Sequence, residues 1–373
     1  MKALRQLIRR LLLAINILLL LVFIFTCYAV PSLAPGEHWP LGLLGLAFPL
    51  LLFLVIAFVV FWFFFHFRYI FFGLVAIAVC WPFVSVFFAF HPFSGPSTEA
   101  DSTRLTIMSY NVRYFKNFDS SEAANRRLRI RMMDLIDAQH PDILCLQEFY
   151  TSENPHDYDN KSYISQRMGL PYRYFSSDHN YKNNHSGVIL FSRYPIVDAG
   201  KLDLLKNNGR DAAIYADIRW GQDTLRVFTT HLQSIYLTHE DMRNIEKIKQ
   251  QQDSSLQASK KLASKLYRAF DKRGSQATVL SEKIKASPYP VLVCGDFNDP
   301  PNSYTYFQIK DGLKDAFLEK GFGIGRTFSK ISPTLRIDYI FMDPAFRTES
   351  YYVLHKAYSD HFPIIAQIRR ATE

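Results

Sequence analysis

The chain has 373 residues, 43 Lys and Arg against 34 Asp and Glu, a net charge of +9, and 49% hydrophobic residues. Residues 1–100 hold only five basic residues (Lys2, Arg5, Arg9, Arg10, Arg68) and two acidic ones (Glu37, Glu99), which leaves 38 basic and 32 acidic residues, a net of +6, for the rest. This split excludes a fully soluble protein, a disordered chain and a small disulfide-stapled domain, and the second part is long enough for one large α/β domain with its own core.

Three charge-free apolar runs come first, Leu11–Val30, Leu41–Phe65 and Tyr69–Phe90. Each reaches the roughly 20 residues that a helix needs to cross a bilayer. Pro49 and Pro82 lie inside the second and third runs, where neighbouring helices can satisfy the freed backbone groups. A cleaved signal peptide is the rival for the first run, with Lys2–Arg10 as its basic region. Its apolar stretch is long for that, and two more runs follow at once. The expectation is an anchor of three transmembrane helices over residues 1–92, a linker over 93–103 and a soluble domain over 104–373. The N-terminal cations and Arg68 favour the cytoplasmic side, so three spans place the soluble domain on the periplasmic or extracellular side of a bacterial inner membrane. Cys27 and Cys80 fall in apolar runs, and Cys145 and Cys294 in buried strands. None has the spacing of a zinc site.

In the soluble part, Arg104–Tyr110 has the pattern of a strand. Ser120 or Ser121 caps a helix to about Gln139, with Leu128, Met132, Leu135 and Ile136 on one stripe, ended by Pro141. Ile143–Gln147 and Gly187–Ser192 follow as strands. Ala212–Arg219 and Thr224–Thr230 flank the turn at 220–223 as a hairpin. His239–Ala286 is charged and helical in pattern, with a break near Gly274. Strands at Val291–Cys294, Arg336–Met342, Thr348–Leu354 and Pro363–Arg369 complete the chain. The fold class is α/β, a mixed sheet or two packed sheets covered by helices. No internal repeat or low-complexity tract is present.

Polar clusters sit at six strand ends: Ser109-Tyr110-Asn111, Gln147-Glu148, Thr230-His231, Gly295-Asp296-Phe297-Asn298, Asp338-Tyr339 and Ser359-Asp360-His361. Polar groups at strand ends converge on one rim. Carboxylates, carboxamides and imidazoles on one rim suit a hard divalent cation and a phosphate ester, since Mg²⁺ takes oxygen ligands and keeps waters while imidazoles move protons.

On these motifs the chain resembles the endonuclease/exonuclease/phosphatase superfamily. SYNVR, LQE, HSGVILFSRYPI, THL, GDFN, RIDYIF and SDHFPI occur in the family's order from about Leu105 to Ile368. The resemblance implies a four-layer α/β sandwich, two mixed sheets with helices outside. It implies Mg²⁺, with Mn²⁺ or Ca²⁺ as alternatives, held chiefly by Glu148 with Asn111, and Asp360 near a metal. It implies Asp296 orienting or deprotonating the attacking water, Asn298 and His231 on phosphoryl oxygens, and an essential His361 oriented by Asp338. Asp296 and His361 compete for the role of base. Arg113 stands where the abasic-site nuclease branch has an acidic residue, which speaks against DNA repair. Taken singly these residues have plainer roles: Asn298 before Asp299-Pro300-Pro301 is a turn residue, Asp338 a partner for Arg336, and His231 a satisfied core or surface histidine. The joint pattern outweighs such roles for Glu148, Asp296, Asn298, Asp338 and His361, and leaves them standing beside the functional ones for His231 and Asp360.

The reaction expected is metal-assisted hydrolysis of a phosphate ester. The substrate expected is a lipid-linked or small phosphodiester, because a domain tethered outside the cytoplasm meets lipid headgroups and not genomic DNA, the net of +6 is modest and no aromatic-interleaved basic stripe is present; nucleic acid cleaved by a surface nuclease is the alternative. A non-catalytic membrane-tethered binding module is the rival of another class. The bilayer and the substrate are the partners expected, and no protein partner is called for. A transporter finds no support, since the apolar runs hold no ionisable residue of the Asp, Glu, Lys or Arg type. The basic residues of 239–286 (Lys247, Lys249, Lys260, Lys261, Lys265, Arg268, Lys272, Arg273) are expected on a solvated helical face, with a substrate-contacting flap as the sharper reading. Arg210, before a strand, is a further candidate phosphate contact.

Overall fold

A computed structural model describes residues 2–36, 38–95, 103–154, 157–205, 213–235, 238, 240–241, 243–244, 256–330 and 332–371. Arg210, Lys247 and Lys249 lie outside the described residues, as does most of 239–255.

The chain opens with α1 (Lys2–Ser32) and α2 (Pro40–Phe65). They run antiparallel: the Trp62 indole donates to Asn16 Oδ1 at 3.1 Å, and Phe23 stacks on Phe48 with centroids 5.7 Å apart. Their outer faces expose Leu18, Leu21, Leu50, Phe53 and Phe64. Among the described residues, these two helices are long and apolar enough to cross a membrane.

The third apolar run departs from expectation, so the count is two such helices and not three. After a 3₁₀ turn at Phe67–Tyr69, α3 (Ile70–Val79) stops at Cys80 and α4 (Trp81–Val84) starts afresh. Pro82 causes the break, having no N–H for the preceding turn. The ten residues of α3 cover about 15 Å. It returns along the hairpin, where the Tyr28 hydroxyl donates to the Val79 carbonyl at 2.9 Å. The run then ends inside the next domain: β1 (Ala89–Phe90) pairs with β12 (Phe322–Gly323), and Val86 and Ala89 join its cores.

Two sheets follow. The seven-stranded sheet has the order β14 (Phe346–Val353), β15 (Ile364–Arg370), β2 (Arg104–Asn111), β3 (Ile143–Ser152), β6 (Asn184–Ser192), β4 (Tyr172–Phe175), with β5 (His179–Tyr181) also on β6. The six-stranded sheet has the order β11 (Lys314–Asp315), β13 (Asp338–Met342), β10 (Val291–Asp296), β9 (Asp223–His231), β8 (Ala213–Trp220), β7 (Ile196–Leu202). Alternating apolar residues of both meet between them: Ile107, Ile143, Cys145 and Leu190 against Ile214, Ala216, Leu292, Cys294 and Ile340. Outside, α5 (Glu122–Asp137) covers the first sheet with Met132, Met133 and Ile136, and the long helix α7 (Leu256–Lys285) covers the second with Ala277, Leu280 and Ile284. Shorter helices are α6 (Asn160–Arg167), α8 (Tyr304–Lys310) and α9 (Ala316–Lys320). This is the four-layer sandwich expected.

Local signals mostly hold. Ser121 caps α5 by accepting from the Ala124 N–H. Gly221, at φ +66°, turns the β8–β9 hairpin. The break expected near Gly274 is absent, because α7 runs straight through it. That glycine serves contact instead: a Cβ there would lie 2.6 Å from Pro35 Cδ in the α1–α2 connection.

Candidate active site

Three strands of the six-stranded sheet end in one row. His231, Asp296 and Asp338 are cross-strand neighbours at the tips of β9, β10 and β13. Asp296 Oδ2 is the point of convergence. Asn111 Nδ2, from the tip of β2 in the other sheet, donates to it at 3.0 Å. His361 Nε2 lies 3.5 Å away and His231 Nε2 3.7 Å. Asp296 Oδ1 accepts the Asn298 N–H at 2.9 Å.

His361 sits between two carboxylates. Its Nδ1 is 2.9 Å from Asp338 Oδ2, and Asp338 is itself fixed by the Thr327 hydroxyl on its N–H at 3.1 Å. Burial alone would lower the imidazole pKa. The Asp338 and Asp296 carboxylates outweigh that and push it from 6.5 up to about 10. An imidazolium is a donor at both nitrogens, and Nε2 stands 3.5 Å from Asp296 Oδ2. Burial raises the Asp296 carboxyl, opposed by His361.

Glu148 reaches the cluster by a break in its strand. The β3–β6 ladder shifts register between Leu146 and Phe149, and Glu148 takes φ +48°. A bulge with a left-handed residue re-aims the side chain. Glu148 Oε1 then accepts from Asn111 Nδ2 at 3.1 Å and lies 3.7 Å from His231 Nε2. Asn298 is also left-handed, at φ +55°, and its Nδ2 donates to the Leu232 carbonyl at 2.9 Å.

Asp296, Asp338 and His361 place donor atoms within 4.8 Å of one another, as a metal site requires. Yet Asp338 Oδ2 and His361 Nδ1 are bonded to each other. The half-exposed Glu148 carboxylate beside Asp296 fits a hard cation better, since such an ion takes one or two carboxylates and keeps its waters. Asn111 joins these two groups through its amide nitrogen, while its Oδ1 accepts the Arg113 N–H at 3.1 Å. Asp360 pairs with Arg113, Nε to Oδ2 3.4 Å.

The structure thus brings seven of the eight expected residues into one connected cluster and sets Asp360 at its edge on Arg113. Arg336 does not pair with Asp338. It is buried against Asp315, with Nη1 to Oδ2 2.7 Å. Three supporting residues escaped the sequence reading. Thr327 carried no signal. Ser359, named in its strand-end cluster but given no role, donates its hydroxyl to the Asn111 carbonyl at 2.9 Å. Arg273 was expected on a solvated face but is 1% exposed. Its helical spacing with Ala269, Gln276 and Ala277 was the signal available. The solvated reading holds for Lys260, Lys261, Arg268 and Lys272, all exposed.

The model of the Endonuclease/Exonuclease/phosphatase family matches residues 108–361, and a domain of unknown function, DUF8431, matches residues 9–87. No curated protein matches the chain. Among solved structures, an endonuclease/exonuclease/phosphatase from Beutenbergia cavernae is similar at 19% identity, with a TM-score of 0.52 over 72% of each chain. The human Nocturnin catalytic domain with bound sulfate anion is similar at 18% identity, TM-score 0.50, over 72% of this chain and 95% of that one. An endonuclease/exonuclease/phosphatase from Bacteroides vulgatus is similar at 19% identity, TM-score 0.50, over 72% of this chain and 100% of that one. Those identities speak for the fold alone, but the family match spans most of the chain. The chain belongs to the endonuclease/exonuclease/phosphatase family and is a phosphoric ester hydrolase.

Proposed function

We propose that this is a membrane-anchored, Mg²⁺-dependent phosphodiesterase acting on a lipid-linked or small phosphodiester outside the cytoplasm. The observation that carries the reading is where the apolar hairpin meets the domain. Asn302, six residues beyond Asp296, donates to the Phe83 carbonyl at 2.7 Å. Arg336, two residues before Asp338, donates to the Val86 carbonyl at 2.7 Å. A Cβ on Gly45 of α2 would lie 2.5 Å from the Asn302 carbonyl oxygen. The third apolar run, at Phe83 and Val86, and α2, at Gly45, therefore dock beside the segments that follow Asp296 and precede Asp338, which supports a substrate presented at the headgroup layer. Lys2, Arg5, Arg9, Arg10 and Arg68 fall at the far end of the hairpin, which supports a cytoplasmic N-terminus and a domain on the other side.

Bound between Glu148 and Asp296, the cation would neutralise charge on the phosphoryl oxygens. The chain does the rest. Asp296, raised by burial, takes the proton of the attacking water as its oxygen bonds to phosphorus and the ester P–O bond breaks opposite, the leaving oxygen keeping the bonding pair and taking a proton from solvent. His361, held as the imidazolium, donates from Nε2 to a phosphoryl oxygen, and Asp338 fixes its orientation. On this reading the competition for the base falls to Asp296. His231 and the remaining Asn298 amide proton contact the other oxygens, and Asn111 keeps Glu148 and Asp296 in place.

The test is the full-length protein in lipid nanodiscs with Mg²⁺, given mixed phospholipids and plasmid DNA in parallel, with His361→Ala as control. Headgroup release lost in the control is expected. Nicking of DNA lost in the control would replace the lipid reading with a surface nuclease, and neither product would favour a binding module.

A further inference from the structure

The segment Tyr267–Gln276 of α7, nearly three turns, touches both catalytic loops and the apolar hairpin. Arg273 Nη2 lies 3.1 Å from Asp299 Oδ1, one residue past Asn298. Its Nη1 donates to the Gln233 carbonyl at 3.0 Å, two residues past His231. Gln276 Oε1 accepts the Gln233 N–H at 2.9 Å. Asn298 Nδ2 closes the circuit on the Leu232 carbonyl, so the two loops are bound to each other and to the helix. The Asp299 carboxylate is further fixed by the Thr305 hydroxyl at 2.7 Å. A planar guanidinium can bridge acceptors on two loops at fixed separation, which an ammonium cannot.

The hairpin occupies the neighbouring face of the same segment. A Cβ added at Gly42 would lie 2.6 Å from the Phe270 ring, and one at Gly36 2.7 Å from Asp271 Oδ1. Trp39 meets Tyr267 edge-on with centroids 6.1 Å apart. The Arg273 guanidinium lies 5.3 Å from the Phe270 ring centroid, so the side chain that meets Gly42 also backs the arginine.

We propose that Arg273 is a positioning residue that sets the spacing of the His231 and Asn298 loops across the reacting phosphate, and that the hairpin, seated on the same helical segment, holds it there. This rests on the functional reading only in taking His231 and Asn298 as phosphate contacts. Its consequence is that the hairpin is part of the catalytic apparatus and not a tether alone.

The test uses the full-length protein in nanodiscs with Mg²⁺ and bis(p-nitrophenyl) phosphate, together with amide hydrogen exchange. Arg273→Gln is expected to lower kcat about 10²-fold, the cost of misplacing groups by an ångström, with KM within about threefold. Arg273→Lys, keeping one ionic contact, recovers part of the loss. Exchange at Leu232, Gln233 and Asn298 quickens in Arg273→Gln, while β14 and β15 stay as in the parent. Gly42→Ala raises helix propensity, so a smaller loss of kcat in that variant reports the contact with Phe270. Parent-like kcat and exchange in Arg273→Gln would overturn the proposal. So would a rise in KM at constant kcat, or exchange quickened equally in β14 and β15. If the parent hydrolyses nothing, the functional reading has failed on this ester, and the exchange measurement still decides the role of Arg273.

Discussion

The two sheets deliver their site residues by different means. In the six-stranded sheet, His231, Asp296 and Asp338 stand in one cross-strand row on unbroken register. Paired strands lie about 4.8 Å apart, so charged groups on such a row are within reach of a shared imidazole. The seven-stranded sheet must send Glu148 across to the other sheet's row. It does so with a register shift and a left-handed backbone. Regular pairing suffices for a hydrogen-bonded relay; a carboxylate aimed out of its own sheet needs local strain, held by the surrounding core.

Breaking the row at its centre should have the largest effect. Asp296→Asn keeps an acceptor for the Asn298 N–H but removes the base, and kcat should fall by about 10²–10⁴-fold. Survival of activity within about tenfold would move the base elsewhere. Glu148→Gln comes next, since it leaves the bulge and the hydrogen bond from Asn111 in place but removes the charge. Calorimetric Mg²⁺ affinity should fall by about 10–100-fold or more, the range produced by disturbing groups around a metal. An unchanged affinity would transfer the cation to the Asp296, Asp338 and His361 group.

The same contrast explains what the sequence made legible. The row belongs to motifs whose order and strand-end placement can be read directly, so Asp296, Asp338, His361 and His231 were all identifiable. The direction of approach was not. Whether Asn111 offers oxygen or nitrogen depends on the Arg113 N–H two residues on, and that rests on the left-handed turn at Arg113, Tyr114 and Phe115. The third apolar run failed for a physical reason: hydropathy sums over Tyr69–Phe90, whereas Pro82 and the pairing of β1 with β12 act at single positions. Gly274 failed in the opposite direction. A helix-weakening residue is retained where the Pro35 ring must come close.

Within the row, Asp338→Asn should act through pH more than through rate at neutrality. His361 goes from 6.5 in the unfolded chain to about 10 in the fold. The pair's contribution to stability is therefore complete below pH 6.5 and is lost as pH rises towards 10. If the imidazolium is the active form, activity also falls on an alkaline limb near that upper value. Removing the Asp338 charge should bring the limb down by about 1–3 pH units and flatten the stability curve across the same window. A limb that does not move would mean that His361 owes its state to Asp296 alone.

The smallest effect belongs to the pair beside it in sequence. Asp360 precedes His361, yet its carboxylate meets Arg113 at 3.4 Å with side chains 22% and 29% exposed. Water screens such a pair, so Arg113→Ala should change stability by no more than about 1 kcal/mol in denaturant titration. The alkaline limb set by His361 should stay in place, because Asp338 and Asp296 act on the imidazole more strongly than Asp360 does. A limb displaced upwards in Arg113→Ala would show that Asp360, released from its partner, had turned towards the imidazole. The edge of the cluster would then be part of its charge relay.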